Sequence, residues 1–209
     1  MKVLILGATG GTGREIVREA GAQGHTVVAL VRSSAKAAGL AGAELVEGDA
    51  RDEQALSRAL KGCSAVIGSL GTAVSPFREV RLLSDATRAL VTAMENRNVR
   101  RLVCITGLGA GDSRGHGGFL FDNLFFPLLL RKVYEDKDRQ EEVVRASKLD
   151  WVLVRPVVLN DKPARGTVRA LADLSAVAGG TVSRGDVAKF VVRQLTDDAW
   201  LRRTPLITW

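Results

Sequence analysis

Three glycines near the start of the chain, Gly7, Gly10 and Gly13, have the spacing G-x-x-G-x-x-G. They follow the apolar run Val3–Leu6 and precede an amphipathic pattern, where a buried strand turns into a helix. Glycines at such a turn let a pyrophosphate approach the backbone, and the N–H groups of the helix N-terminus bind its phosphates. A glycine-rich turn without a ligand is the alternative, but the strand–turn–helix context favours a nucleotide. We expect nucleotide contacts from Gly7, Thr9, Gly10, Gly11, Thr12 and Gly13.

The residue after the second predicted strand indicates which dinucleotide binds. Arg32 follows the strand Thr26–Val31, nineteen positions after Gly13. An NAD site usually has an acidic residue about 20 positions on, which binds the ribose 2′-hydroxyl. An arginine with neighbouring hydroxyl groups can bind a 2′-phosphate instead, although an ordinary exposed basic loop is the alternative. We therefore expect NADP(H), held here by Arg32, Ser33, Ser34 and Lys36.

Two further predicted strands end in residues suited to the adenosine half of a dinucleotide. Asp49 can accept a hydrogen bond from an adenine amino group, or it can cap the helix that begins near Glu53. Small residues after the fourth strand allow the backbone to approach a ribose, or they simply end that strand. The additional candidates are Ala50, Leu70, Gly71 and Thr72.

Strands alternate with helical patterns along the chain. This alternation predicts right-handed βαβ units and an α/β fold with a doubly wound parallel (Rossmann) sheet in the order 3-2-1-4-5-6. Pro205–Thr208 can add a short seventh strand. We expect one NAD(P)-binding domain over residues 1–209, with a substrate pocket from loops near 106–130 and 157–180. The predicted strands are Val3–Leu6, Thr26–Val31, Ala43–Asp49, Ala65–Leu70, Arg101–Thr106 and Trp151–Pro156.

Composition narrows the range of partners and compartments. The formal net charge is +7, but the basic residues are scattered singly, which disfavours nucleic-acid binding. Cys63 and Cys104 lie in or beside apolar runs without metal-ligand or disulfide spacing, so we expect buried thiols and no metal. There is no secretion signal and no apolar run long enough to span a membrane. We expect a cytoplasmic monomer or homodimer that binds a small molecule, and neither nucleic acid nor membrane.

Four stretches of the sequence resemble the atypical short-chain dehydrogenase/reductase superfamily. They are "GATGGTG" at Gly7–Gly13, "VR" at Val31–Arg32, "GDA" at Gly48–Ala50 and "LDWVLVRP" at Leu149–Pro156. The resemblance is closest to the NAD(P)H-binding group that contains biliverdin-IXβ reductase, which is also a flavin reductase, and NmrA-like proteins. It implies a nicotinamide pocket lined by Pro156, Val157 and Val158.

The superfamily resemblance also implies a catalytic pattern. A Ser follows the fifth strand and Tyr-x-x-x-Lys lies on the next helix; the Tyr is the acid/base, and the Lys lowers its pKa and binds the nicotinamide ribose. Thr106 matches the Ser, and Lys137 matches the Lys because Glu141 follows four positions later. The Tyr position then holds Val133, and Tyr134 is rotated around the helix from it. We expect Tyr134 to be a half-exposed surface residue, with contact to the pocket as the alternative.

The segment Gly111–Tyr134 joins a Gly/His loop to "FLFDNLFFPLLL". This apolar stretch is too short to span a bilayer, and Asp122, Asn123 and Pro127 interrupt it. We expect it to begin a helix that packs on the core; an apolar lid over a planar substrate and a self-association face are the alternatives. His116 could donate a proton to a substrate, but a solvated loop histidine is the favoured interpretation.

These features favour an NADPH-dependent reductase that transfers hydride to a conjugated acceptor such as a flavin, quinone or tetrapyrrole. Such an acceptor delocalises charge and can take its proton from water, so the missing Tyr is tolerated. The candidate catalytic residues are Thr106, Lys137, Tyr134 and His116. The alternative is a non-catalytic NmrA-like NADP(H) redox sensor that binds a partner protein. A sugar-nucleotide epimerase relative is disfavoured by the missing Tyr and the short chain.

Overall fold

The strands of the central sheet form where the sequence has continuous apolar runs, because helices cover both faces of the sheet. The computed structural model describes residues 1–37, 39–40, 42–74, 77–119, 121–175, 177 and 179–209, with only the backbone of Lys36 and Phe121. The strands are β1 (Lys2–Leu6), β2 (Thr26–Val31), β3 (Glu44–Glu47), β4 (Ala65–Gly68), β5 (Arg101–Ile105), β6 (Asp150–Pro156), β7 (Val158–Asn160), β8 (Arg169–Leu171), β9 (Thr181–Ser183) and β10 (Leu206–Thr208).

The strand order of the main sheet is β3-β2-β1-β4-β5-β6-β10-β8. The first six strands pair in parallel, which confirms the predicted Rossmann order, and β10 is the predicted short seventh strand. Strand β8 pairs antiparallel with β10 at the edge, and β7 and β9 form a separate parallel pair. These three strands were not predicted. The order reverses between β1 and β4, so a crevice opens there at the carboxyl ends of the strands.

In the described part of the chain, five α-helices pack on the two faces of the sheet. They are α1 (Gly11–Ala22), α2 (Glu53–Ala59), α3 (Leu82–Asn96), α4 (Arg131–Ala146) and α5 (Arg184–Arg193). Alternate residues of β1 face opposite layers, as strand geometry requires. Val3 and Ile5 join the apolar core under α1 and α5, whereas Leu4 and Leu6 join the core under α2, α3 and α4.

Side-chain caps fix where the helices near the crevice begin. The carboxylate of Asp136, on α4, is fully buried and accepts hydrogen bonds from the N–H of Leu83 (2.8 Å) and the hydroxyl of Ser84 (2.5 Å) at the start of α3. Ser183 caps α5 by accepting from the N–H of Asp186 at 3.0 Å. Such caps are typically worth about 1 kcal/mol each. They hold α4 and α5 in place beside the crevice.

The structure shows the state of the two cysteines and the character of the helices. Cys63 and Cys104 are buried free thiols, as predicted. Within the described ranges, the helices are too short or too polar for any of them to traverse a lipid bilayer.

Candidate functional site

The glycine loop between β1 and α1 has the shape of a phosphate cradle. Gly7 has φ +77°, and a Cβ there would overlap the carbonyl oxygen of Ser69 after β4. A Cβ on Gly13 would overlap the carbonyl oxygen of Gly7, so this third glycine lets α1 pack closely on β1. The first turn of α1, all of which the structure describes, has no acidic side chain. The loop therefore fits the diphosphate of a dinucleotide at a helix N-terminus.

A cavity of about 390 Å³ extends from this loop across the carboxyl ends of the first four strands. Nine of the fifteen residues predicted for the glycine loop and the adenosine half of the cofactor line it, whereas Gly11, Thr12 and Gly13 do not. Ser33 and Ser34 lie beside it without lining it, and the side chain of Lys36 lies outside the described part of the chain. The predicted residues that line the cavity are Gly7, Thr9, Gly10, Arg32, Asp49, Ala50, Leu70, Gly71 and Thr72.

Asp49 is held by an arginine that the sequence analysis missed. Its carboxylate accepts from the backbone N–H (2.8 Å), Nε (2.9 Å) and Nη2 (2.7 Å) of Arg51, and these bonds lower the pKa of Asp49 to about 2. The interpretation of Asp49 as the helix cap is wrong, because Asp52 directly precedes α2 and accepts from the N–H of Gln54 at 2.9 Å. Arg51 also lines the cavity. The sequence signal for Arg51 was its position two residues after Asp49, which ends the predicted third strand.

Arg32 and Arg51 both line the cavity. The neighbouring N–H of Ser34 is not open to a phosphate, because it donates to Oε1 of Glu47 at 2.6 Å. This hydrogen bond lowers the pKa of Glu47 and keeps a carboxylate beside the loop after β2. A 2′-phosphate would therefore meet guanidinium groups rather than the backbone of Ser34.

A second cavity, of about 210 Å³, opens at the carboxyl ends of β5 and β6. Both predicted pocket loops contribute to it, and they are joined by a hydrogen bond from the N–H of Gly179 to the carbonyl of His116 (2.9 Å). Pro156, Val157 and Val158 form its apolar wall, as the family resemblance implied. The remaining lining residues are Thr106, Gly107, Leu108, Gly117, Tyr134, Lys137, Leu159 and Gly179.

Tyr134 lines this second cavity and is only 9% exposed, so the expectation of a half-exposed surface residue is wrong. Its hydroxyl donates to the carbonyl of Leu108 at 2.9 Å, and its ring packs 5.0 Å from that of Phe126. A Cβ on Gly109 would lie 2.9 Å from the ring, so this glycine makes room for it. Burial raises the pKa of Tyr134 to about 12.

Lys137 contributes a cation to the same cavity. Its Nζ donates to the carbonyl oxygen of Thr106 at 2.5 Å and lies 4.9 Å from the centre of the Tyr134 ring. Removal from water penalises the ammonium form and lowers the pKa of Lys137 to about 8. An ammonium group has three N–H donors, so donors remain beyond the one given to Thr106.

The hydroxyl of Thr106 is held by a hydrogen bond within the protein. It donates to Oε1 of Glu141 at 2.7 Å. The two oxygens of Glu141 also accept from Nε (2.9 Å) and Nη2 (2.6 Å) of Arg155, and both side chains are almost fully buried. Arg155 reaches Asp112 as well, at 2.6 Å. This buried ion pair positions Thr106 and the start of the loop after β5, and Arg155 was not among the predicted site residues.

The Phe/Leu-rich segment does not pack on the core as expected. Phe121–Leu130 is π-helical, and Leu124, Phe125, Leu128 and Leu129 are exposed. Pro127 lies inside this helix, where it lacks a backbone N–H and disturbs the ladder of backbone hydrogen bonds. The apolar side chains therefore do not share one buried stripe.

His116 is half-buried and its backbone carbonyl holds Gly179. The neighbouring residue Gly117, rather than His116, lines the second cavity.

Comparison with known proteins places the chain in a family. The profile of a family described as NAD(P)H-binding matches residues 7–198. An uncharacterized sugar epimerase, YhfK, of Bacillus subtilis (strain 168) is 31% identical over 94% of this chain and 89% of its own length. A photosystem II assembly factor, Ycf39, of Synechocystis sp. is 28% identical over 98% of this chain, which spans 61% of that protein.

A solved structure supports the same placement. ChuY, described as an anaerobillin reductase from Escherichia coli O157:H7, superposes with a TM-score of 0.83 at 25% identity, covering 100% of this chain and 97% of its own. The glycine cradle and the cavity that continues from it fit the dinucleotide that the family description names. The chain therefore belongs to the NAD(P)H-binding family of the atypical short-chain dehydrogenase/reductase superfamily.

Proposed function

We propose that this protein is an NADPH-dependent reductase of a conjugated acceptor such as a flavin, quinone or tetrapyrrole. The observation that carries the proposal is the cavity at the ends of β5 and β6. It combines an apolar wall with one ammonium group, Lys137, and it lies at the same sheet edge as the dinucleotide cavity. The reductase relative ChuY supports this class of reaction at the level of the family.

The residues of the second cavity suit an acceptor that does not depend on a tyrosine as the acid. Bound NADPH would supply the hydride. Pro156, Val157 and Val158 present an apolar surface on which a planar ring can stack. Lys137 holds a proton near the reacting atoms and can bind a ribose hydroxyl. Tyr134 retains its proton and its hydroxyl donates a hydrogen bond to the carbonyl of Leu108, so it does not act as the acid in this geometry.

Arg32 supports NADPH over NADH as the cofactor. Arg32→Asp places a carboxylate where the 2′-phosphate would bind, so we expect NADPH affinity to fall by roughly 10- to 100-fold while NADH affinity changes by less than about threefold. Titration of each cofactor by nicotinamide fluorescence measures both. Arg203→Asp is the control, because Arg203 is exposed and precedes β10 at the other end of the strands. Equal losses for the two cofactors would contradict the assignment.

The reductase is tested by mixing the purified protein and NADPH with FMN, a short-chain quinone and biliverdin separately. Absorbance of the reduced nicotinamide should fall catalytically with at least one acceptor and stay constant without acceptor. Tight NADPH binding without turnover of any acceptor would instead support an NADP(H) sensor that binds a partner protein.

The name of the Bacillus relative raises epimerisation as another activity. An epimerase of this superfamily needs a group that exchanges a proton with a sugar carbon or hydroxyl, and Tyr134 is poorly suited because burial and the Leu108 hydrogen bond keep it neutral. Incubation with a UDP-sugar, followed by chromatography of the product epimers, decides this, since epimerisation without net NADPH consumption would replace the reductase proposal.

A further inference from the structure

Arg184, the first residue of α5, reaches the glycine loop from a distant part of the sequence. A Cβ built on Gly11, the first residue of α1, would lie 2.9 Å from Nε of Arg184. Glycine at position 11 therefore leaves the space that the guanidinium occupies. The Arg184 side chain is 27% exposed, and its Nη1 donates to Oδ1 of Asp161 at 2.8 Å.

The electrostatic setting of Arg184 favours an anion. The N-terminus of a helix carries a partial positive charge, and Arg184 adds a full positive charge next to the N-terminus of α1. In this structure Asp161 offsets that charge, and its side chain is 86% exposed. An exposed ion pair of this kind is weak, at about 0–1 kcal/mol, so a better anion can displace it. The diphosphate of a dinucleotide binds at the same helix N-terminus.

We propose that Arg184 is a cofactor-binding residue that contacts the diphosphate at the glycine loop, and that Asp161 competes with this diphosphate for the guanidinium. Arginine suits the role because its planar N–H groups bind two phosphate oxygens at once. The inference concerns dinucleotide binding alone, so it stands or falls independently of the acceptor proposed above.

The exchange of partners also connects the two cavities. Asp161 directly follows β7, and the β7 residues Val158 and Leu159 line the second cavity. When the diphosphate binds the guanidinium of Arg184, Asp161 at the end of β7 loses its ion pair with α5. Cofactor binding would thereby release one wall of the second cavity.

Binding of two ligands by three variants tests the proposal. NADP⁺ contains the diphosphate, whereas 2′-AMP contains the 2′-phosphate and adenosine without it. Arg184→Gln should weaken NADP⁺ roughly tenfold and change 2′-AMP by less than about twofold. Asp161→Asn should instead tighten NADP⁺ by roughly threefold. In the double variant this gain should disappear, because the guanidinium through which it acts is absent.

Each alternative gives a different pattern in calorimetric titration. If the Arg184–Asp161 pair only holds the fold, Asp161→Asn weakens NADP⁺ in the same direction as Arg184→Gln, and the proposal is overturned. If Arg184 acts only as a diffuse positive charge, the effect of Asp161→Asn persists in the double variant, which also overturns it. Arg18→Gln is the matched control, an exposed arginine on α1 paired with Glu15.

Discussion

Lys137 and Tyr134 line the same cavity, but their surroundings change their acidities in opposite directions. Burial disfavours the charged form of each group, which lowers the pKa of Lys137 to about 8 and raises that of Tyr134 to about 12. At neutral pH the ammonium is therefore the stronger acid of the two. The proton that the superfamily pattern assigns to a tyrosine is available here from a lysine.

Replacing Lys137 tests this role directly. Lys137→Met should lower kcat/KM with the best acceptor roughly 100-fold, because the variant has no proton donor at this place. In the unsubstituted protein, kcat/KM should fall as the pH rises through about 8, where the ammonium loses its proton, and the variant should lack this fall. Lys132→Met on the same helix, a partly exposed lysine paired with Glu135, should match the unsubstituted profile. An unchanged pH profile in Lys137→Met would refute the assignment.

The contact of Tyr134 with the cavity could not be predicted from helix spacing. Counting back from Lys137 points to Val133 as the aligned position, but it takes no account of the residues around the Tyr134 ring. Tyr134 is drawn inward by Phe126, by the carbonyl of Leu108 and by the space at Gly109. Phe126 lies in the π-helical segment just before α4, and Leu108 and Gly109 lie in the loop after β5, so the contacts depend on how these segments fold against one another. The residues that line the first cavity were easier to anticipate, because they lie just after predicted strands.

At the scale of elements, the exposure of the leucines in the π-helical segment Phe121–Leu130 can be tested by substitution. Leu128→Gln combined with Leu129→Gln should change the free energy of unfolding by less than about 0.5 kcal/mol, because both side chains are exposed. The same change should clearly lower the fluorescence of an apolar dye bound to the folded protein, because it removes exposed apolar surface. Leu45→Gln, an isolated exposed leucine, should leave dye binding unchanged. A loss of more than about 2 kcal/mol would show that these leucines are packed in a core.

The elements that sequence analysis missed share one property, which is length. Strands β7, β8 and β9 have three residues each, too few for an alternating pattern to be distinguished from loop. They pair with strands that are remote in sequence, such as β8 with β10, so their existence depends on the assembled sheet. The longer buried strands were recognisable because their apolar runs are continuous.

At the scale of the molecule, Asp186 joins three parts of the chain. Its carboxylate is 1% exposed and accepts from the N–H of Arg165 (2.9 Å), the N–H of Gly166 (2.8 Å), the hydroxyl of Ser183 (2.8 Å) and Nε1 of Trp209 (2.8 Å). Burial alone would raise the pKa of Asp186, but these hydrogen bonds outweigh it and hold the pKa below its ordinary value. The C-terminal residue is thereby fixed beside the start of α5.

Asp186→Asn should destabilise the protein by about 1.5–3 kcal/mol at pH 7, because an amide cannot accept all the hydrogen bonds of the carboxylate. The Asp186 carboxylate contributes fully to the free energy of unfolding above about pH 4, where it is ionised in the unfolded chain. This contribution is lost as the pH falls through the lower pKa of the folded protein. Urea unfolding at pH 7 and pH 3 should therefore show a smaller difference between the two proteins at pH 3. Asp173→Asn, at an exposed Asp that accepts from the N–H of Ser175, should stay within about 0.5 kcal/mol. An equal loss at both pH values would contradict this account.

The two cavities share no lining residue, since one uses the ends of the first four strands and the other those of β5 and β6. A molecule confined to the first cavity, such as 2′-AMP, should therefore bind without displacing one confined to the second. An adenosine 2′-phosphate group and a flat apolar ring, joined by a linker that follows the crevice, would gain from the high effective concentration of the second group once the first is bound. The same separation makes it feasible to block the second cavity selectively, which would distinguish this protein from the many others that bind the same dinucleotide.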